Sequence, residues 1–268
     1  NPQSEIVIDV ASGRILHAKN ENEKMPIASL TKILTCITAI KNCESEKEIL
    51  IKKEWTNIEG SSIYLKEGEI YSLKELLYGL MLRSGNDCAV SIASAYEKGY
   101  DEFIKLMNLT AYSFGAENSS FVNPHGLDNA AHYSTAYDLA LITKAALSDD
   151  FFSEIVSSKS ATIGRDDYRR TIYNKNKILK NYEYATGVKT GYTKKAGRCL
   201  VTSSDKNDFK LVSVVLNCGP MYERSKELLE TAYSEYNNVL LCSKNESCAT
   251  YEDLKGRKIP CYVSEDVY

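Results

Sequence analysis

Pro26-Ile27-Ala28-Ser29-Leu30-Thr31-Lys32 opens the first helical stretch of the chain, which continues with apolar residues at Leu30, Ile33, Leu34 and Ile37. Ser29 and Lys32 stand three apart at its start, and residues at that spacing share a helix face, so a hydroxyl and an amine can meet there. A serine hydroxyl is a poor nucleophile unless a base takes its proton. Lysine serves as that base only when desolvation or a neighbouring cation lowers its pKa. A helix N-terminus adds a positive field and free N–H groups, both useful to a developing oxyanion. Spacing alone decides little, because Ser203-Ser204-Asp205-Lys206 repeats the SxxK pattern in what reads as a hairpin turn.

Working outward, Ile6–Val10 and Arg14–Ala18 flank Ser12-Gly13 and predict a hairpin before the helix. Downstream, Ser72 and Glu75 form a capping-box pattern, followed by apolar Leu73, Leu76, Leu77, Leu80 and Met81. That helix breaks at Ser84-Gly85-Asn86. Asp87 is expected to cap a third helix, Cys88 to Tyr96, ending near Gly99. A helix over about Glu102–Tyr112 follows, and Thr135 with Asp138 predicts a capping box for another through Leu139, Leu141, Ile142 and Ala145. Asp149–Tyr184 is polar and gives no clear element. Cys199–Thr202 and Phe209–Leu216 read as strands joined by the polar turn Asp205–Asp208, and a helix is expected around Glu223–Tyr236. Strands at both ends with helices between predict an α/β fold: one antiparallel sheet built from N- and C-terminal strands, flanked by helices, with a mostly helical middle. Residues 1–240 are expected to form the catalytic domain and 241–268 a short C-terminal tail or the stub of a second domain.

The 268 residues suffice for one large domain, and a net charge of −3 gives no reason to expect nucleic acid or an anionic membrane as main partner. No window reaches the length of a transmembrane helix, and no signal-peptide pattern opens the chain. Of eight cysteines, Cys36, Cys43, Cys88, Cys199 and Cys218 lie in apolar segments and read as buried small hydrophobes. Cys242, Cys248 and Cys261 sit in the polar tail, where a disulfide is expected if the protein is exported, with connectivity open. None has CxxC spacing. The three histidines, His17, His125 and His132, form no HExxH pattern, so no metal or other cofactor is expected. His17 lies in the first hairpin, His125 and His132 read as structural hydrogen-bonding groups, and a Ser-His-Asp triad has no support.

Two further motifs share the chain with Ser29 and Lys32. Ser84-Gly85-Asn86 interrupts two apolar helical runs, where a tight loop can aim a hydroxyl and an amide into a cleft; Ser243-Lys244-Asn245 has the same SxN form in the tail. Lys189-Thr190-Gly191 occurs once, and on an edge strand it supplies positive potential, a hydroxyl and room for close backbone approach. Taken in order, SxxK, SGN and KTG match the set of class A β-lactamases and penicillin-binding proteins, whose second member is SDN. The sequence resembles the D-alanyl-D-alanine carboxypeptidases. Pro26–Lys32 resembles their PASLTK signature with Ile27 inserted, and Gly60–Leu65, Glu67–Glu69, Asn123–Asp128, Ser134–Ala140 and Ala196–Val201 resemble their other segments. The likeness covers roughly Ser4 to Tyr236 and implies a β-lactamase/transpeptidase-like fold.

Carried over, that resemblance makes Ser29 the acylated nucleophile and Lys32 its general base. Ser84 and Asn86 would serve proton transfer and substrate positioning. Lys189 and Thr190 would face the substrate's terminal carboxylate, Gly191 would let the backbone come close to the substrate, and the N–H groups of Ser29 and Tyr192 would form an oxyanion hole. The implied partners are peptidoglycan stem peptides ending in D-Ala-D-Ala, with β-lactams as covalent inhibitors, outside the cytoplasm. Many relatives carry a carboxylate-binding arginine after the last strand. Met221 aligns there, leaving Arg224 and Arg198 as candidates without a basis to choose. Relatives often continue into a β-rich second domain and an amphipathic anchor. Two other readings stay open: a class A-like β-lactamase, for which Glu117 would have to activate water, and a non-catalytic penicillin-sensing or wall-binding module, against which Ser29 and Lys32 argue.

Overall fold

The computed structural model describes residues 2–264. The N-terminal hairpin consists of β1 (Ser4–Asp9) and β2 (Ile15–Lys19). The helical middle holds α1 (Thr31–Asn42), a small ladder of β3 (Glu48–Leu50) with β4 (Ile70–Ser72), then α2 (Leu73–Leu82), α3 (Asn86–Ser94), α4 (Tyr100–Ser113), α5 (Ala136–Leu147) and α6 (Asp150–Ser157). The stretch that gave no element from sequence contains α6, the hairpin β5 (Ser160–Ile163) and β6 (Arg170–Tyr173), and the one-turn α7 (Ile178–Asn181). Strands β7 (Ala185–Thr193), β8 (Gly197–Lys206) and β9 (Phe209–Leu216), helix α8 (Met221–Glu235) and the hairpin β10 (Ser247–Glu252) with β11 (Lys258–Tyr262) complete the order.

The main sheet runs β2-β1-β9-β8-β7, all antiparallel, so chain ends that are distant in sequence share one layer and β7 is an edge. Every residue of β1 is buried, and its alternation feeds two cores. Ile6 and Ile8 join Val201, Val212 and Val214 beneath the helical middle. Val7 joins Leu200, Leu211 and Val215 beneath Leu228, Leu229 and Tyr233 of α8. Helix α1 is buried from Thr31 through Ala39, as befits a helix enclosed on all sides.

Local expectations meet mixed outcomes. Ser72 and Glu75 make the reciprocal capping box. At α5 only half a box forms: Thr135 accepts from the Asp138 N–H, while the Asp138 carboxylate accepts from the Asn118 N–H and the Ser119 hydroxyl. Asp87 does not cap α3, which starts one residue earlier at Asn86 with Gly85 as N-cap. Its buried carboxylate instead ties down the 60–65 loop, accepting from Ser62 Oγ (2.6 Å) and from the N–H groups of Ile63 and Leu65. Ser203 lies within β8, not in a turn, and shares a hydrogen bond with Thr186. Cys242 and Cys248 form a disulfide, and Cys261 is an exposed free thiol.

Two contacts hold the frame of the site. Glu5, inside β1, has a nearly inaccessible carboxylate paired with Arg224 through Oε2 to Nε (2.9 Å) and Oε1 to Nη2 (2.7 Å), with His17 also on Oε1. Burial alone would raise the Glu5 pKa, but the bonds from Arg224 and His17 hold it below the ordinary carboxylate value. The second contact is the docking of the 123–127 loop on α1. Thr35 Oγ1 donates to the Pro124 carbonyl (2.7 Å), and Gly126 passes so close that a Cβ there would fall 1.9 Å from the Ala28 carbonyl oxygen.

Arg224→Met should leave the buried Glu5 carboxylate with His17 as its remaining side-chain partner and cost about 3 kcal/mol at neutral pH, read by urea unfolding. The loss should shrink in acid: a depressed carboxylate pKa contributes stability above its unfolded value, and that contribution fades as pH falls through the folded one. Gly126→Ala should cost about 2 kcal/mol or more in the same assay, because a positive φ of 88° and a backbone clash act together.

Candidate active site

The turn Ala28–Leu30 is a single 3-10 turn leading directly into α1. Ala28 holds a left-handed φ of 49°, so the backbone before Ser29 is strained. Ser29 is half-buried at the helix start, and Lys32, one turn on, is completely buried. The Lys32 ammonium lies within hydrogen-bond reach of three acceptors: Ser29 Oγ (3.0 Å), Asn86 Oδ1 (2.7 Å) and the His125 carbonyl (2.6 Å). Burial, with the charge of Lys189 next in weight, holds the Lys32 pKa well below the usual lysine value.

Asn86 reaches Lys32 because the break between α2 and α3 is rigid. Its N–H donates to the Ser61 carbonyl (2.7 Å) and its Nδ2 to the Glu59 carbonyl (2.5 Å), which fixes the amide with Oδ1 toward the lysine. Ser84 sits in this break with a left-handed φ of 62° and is buried.

The KTG segment occupies β7 at the open edge of the sheet. Gly191 passes against the turn before Ser29, where a Cβ would lie 3.0 Å from the Ile27 carbonyl oxygen and 3.3 Å from Ala28 Cβ. Any side chain there would crowd the turn, and the close pass sets Tyr192 beside it with its ring exposed. Lys189 is buried, its Nζ donates to the Thr190 carbonyl (3.0 Å), and burial plus the charge of Lys175 pushes its pKa down to about 7. Ser84, Lys189 and Thr190 line one narrow crevice with Lys175 and Asn176.

The structure therefore gathers Ser29, Lys32, Asn86, Ser84, Lys189, Thr190 and Gly191 around one place where α1, the α2–α3 break and β7 meet. Neither candidate for the missing arginine joins them. Arg224 is committed to Glu5 and Glu227. Arg198 pairs in register with Tyr192 but contacts the Gly219 carbonyl (3.4 Å), and it does not line the crevice. Glu117 is exposed in the loop after α4, whereas the group that loop region sets on Lys32 is a backbone carbonyl. Sequence reading missed that carbonyl, because nothing in the identity of His125 announces it. The ring is structural: His125 Nδ1 accepts from the Leu127 N–H, and burial pushes its pKa down to about 3. His132 accepts from the Val122 N–H through Nδ1, so its Nε2 proton donates to Thr31 Oγ1 (2.7 Å). Among the described residues no group of His, Cys, Asp and Glu is placed to hold a metal.

The family pattern described as D-alanyl-D-alanine carboxypeptidase, peptidase S11, matches residues 1–219. The chain is 32% identical over 265 residues to D-alanyl-D-alanine carboxypeptidase DacF of Bacillus subtilis, covering 96% of this chain and 68% of that one. Among solved structures, a D-alanyl-D-alanine carboxypeptidase of Mycobacterium tuberculosis superimposes with a TM-score of 0.83 at 30% identity, covering 88% of this chain and 92% of the other. A Streptomyces DD-transpeptidase does so with 0.81 at 28% identity, covering 88% and 97%. The match over residues 1–219 and the 32% identity across nearly the whole chain, on a fold shared with those structures, place this chain in the D-alanyl-D-alanine carboxypeptidase family of serine peptidases.

Proposed function

We propose that the protein removes the terminal D-alanine from peptidoglycan stem peptides through an acyl-enzyme on Ser29, and that β-lactams acylate the same hydroxyl. The observation that carries this reading is the 3.0 Å contact between Ser29 Oγ and a lysine that is wholly buried and pressed toward its neutral form. A neutral Lys32 takes the Ser29 proton as the hydroxyl attacks the penultimate D-alanine carbonyl. Asn86 holds the lysine and, with Ser84, positions the substrate. The Ser29 and Tyr192 N–H groups hold the oxyanion, consistent with the close pass of Gly191 against residues 27 and 28. The C–N bond then breaks, the proton passes to the leaving amine by way of Ser84, and D-alanine departs. Water cleaves the ester in a second step and restores Ser29.

Residues 1–240 act as the catalytic unit. The enzyme works outside the cytoplasm, a reading favoured by the Cys242–Cys248 disulfide. Among the described residues no helix is long and apolar enough to cross a membrane.

Incubation with a labelled penicillin should give a long-lived adduct, found on Ser29 by mass spectrometry of its peptide, and Ser29→Ala should stay unlabelled. Rapid turnover without an adduct would point to a β-lactamase, and neither adduct nor turnover would sink the acyl-enzyme. A second test uses pH. Lys189 attracts the carboxylate only while protonated, so kcat/KM for D-alanine release should decline as pH rises through about 7, the free-enzyme value. Lys189→Arg keeps its charge at all working pH, so the alkaline limb of its residual activity should move upward. An unmoved limb would remove Lys189 from that role.

A further inference from the structure

Thr31 stands between Ser29 and Lys32 in sequence, is fully buried, and spends its hydroxyl away from both. The hydroxyl donates to the Ala28 carbonyl (2.9 Å), so its oxygen accepts from His132 Nε2 (2.7 Å). The other side of the ring requires the same tautomer, because Nδ1 accepts from the Val122 N–H (3.2 Å). The ring is buried and perpendicular to Phe121, with 5.6 Å between centroids. Burial pushes its pKa down to about 4, which keeps it neutral at working pH, one nitrogen donating and the other accepting.

These bonds converge on the peptide group that carries the Ser29 N–H. The Ala28 carbonyl receives both the hydroxyl and the N–H of Thr31. That carbonyl and the Ser29 N–H belong to one planar trans peptide, so they point in opposite directions. Holding the oxygen therefore aims the N–H. Local chain preference does not do this: Ala28 sits at a left-handed φ of 49°, which a residue with a Cβ keeps only where its surroundings over-determine it. The Ser29 N–H lies in the opening turn of the helix, whose first N–H groups have no partner within it. Hydrogen bonds to the carbonyl also polarise the peptide and strengthen that N–H as a donor.

We propose that Thr31 and His132 are positioning residues for the oxyanion hole: His132 orients the Thr31 hydroxyl, which fixes the plane of the Ala28–Ser29 peptide and with it the Ser29 N–H. The inference rests on the acyl-enzyme reading and extends it to a histidine outside the three motifs. Both side chains are buried, and neither attacks nor transfers a proton.

Thr31→Val removes the hydroxyl at nearly constant shape. It should lower kcat for D-alanine release about tenfold, a fraction of the roughly 10²–10³ lost with a whole oxyanion donor, and leave KM within about twofold. Thr31→Ser should recover most of the loss. Two substitutions at position 132 separate positioning from packing. Asparagine places its amide near Nδ1, keeping the Val122 bond and losing Thr31. Glutamine reaches near Nε2, keeping a donor for Thr31 and losing Val122. His132→Asn should therefore behave as Thr31→Val, and His132→Gln as Thr31→Ser; His132→Asn carries the test should Thr31→Val fail to fold. The spectroscopic readout is the infrared stretch of the ester formed with a penicillin carrying ¹³C at its β-lactam carbonyl, whose oxygen enters the oxyanion hole. Its frequency should rise in Thr31→Val and His132→Asn, as the donor is misaimed. A wild-type frequency in both, whatever their activity, would overturn the inference, and so would the reverse order of the two variants at position 132. Failure of the underlying reading looks different, since wild-type protein would then form no ester to compare.

Discussion

A lysine amine sealed from water, with a serine hydroxyl on one side and an amide oxygen and a backbone carbonyl on the others, sets the terms for the rest of the molecule. A buried ammonium without a paired carboxylate is costly. Asp87 lies near enough to favour the charge, but its carboxylate is occupied by loop N–H groups and a hydroxyl rather than by Lys32. The buried cation Lys189 lies close enough to disfavour the charged form further. What stabilises the fold elsewhere therefore also holds Lys32 toward its neutral state, which on the proposed mechanism is the state that accepts a proton.

The surrounding architecture keeps water out and the acceptors in place. Gly126 lets the 123–127 loop lie on the Ala28 carbonyl, which delivers the His125 carbonyl to Lys32. Asp87 clamps the 60–65 loop, whose Ser61 carbonyl receives the Asn86 N–H. Gly191 allows β7 to close against the Ser29 turn. Left-handed conformations at Ala28 and Ser84 cost about 1–2 kcal/mol each, offset by the two hydrophobic layers on either side of the sheet. Glu5 and Arg224 lock that sheet to α8, so the arginine that sequence reading weighed for the substrate is a structural group.

Much of the frame was legible because hydrophobic period and capping chemistry are local. β1, α1, α2 with its Ser72–Glu75 box, and the β8–β9 hairpin can be read from neighbouring residues, and the ordered motifs placed Ser29, Lys32, Asn86 and Lys189. The rest depends on contacts between distant segments. Asp87 looks like a cap beside Asn86, and only the folded chain brings the 60–65 loop to it. In the 150–181 region β5, β6 and α7 are four-residue elements with few buried side chains, too short for a period to show; α6 does carry a signal, Asp149 as N-cap before the buried face of Phe152, Ile155 and Val156, and the polar surroundings hid it. The backbone carbonyl at His125 carries no side-chain signature in a linear reading.

The neutrality of Lys32 is the claim on which the mechanism turns, and it can be read without substrate. Protein labelled with ¹³C at lysine Cε should show, across a pH titration by nuclear magnetic resonance, one resonance that is absent in Lys32→Met and titrates well below the ordinary lysine pKa of about 10.4. If the Lys32 resonance titrates at the ordinary value, the amine is a cation at working pH, cannot accept the Ser29 proton, and the proposed route to the acyl-enzyme is wrong.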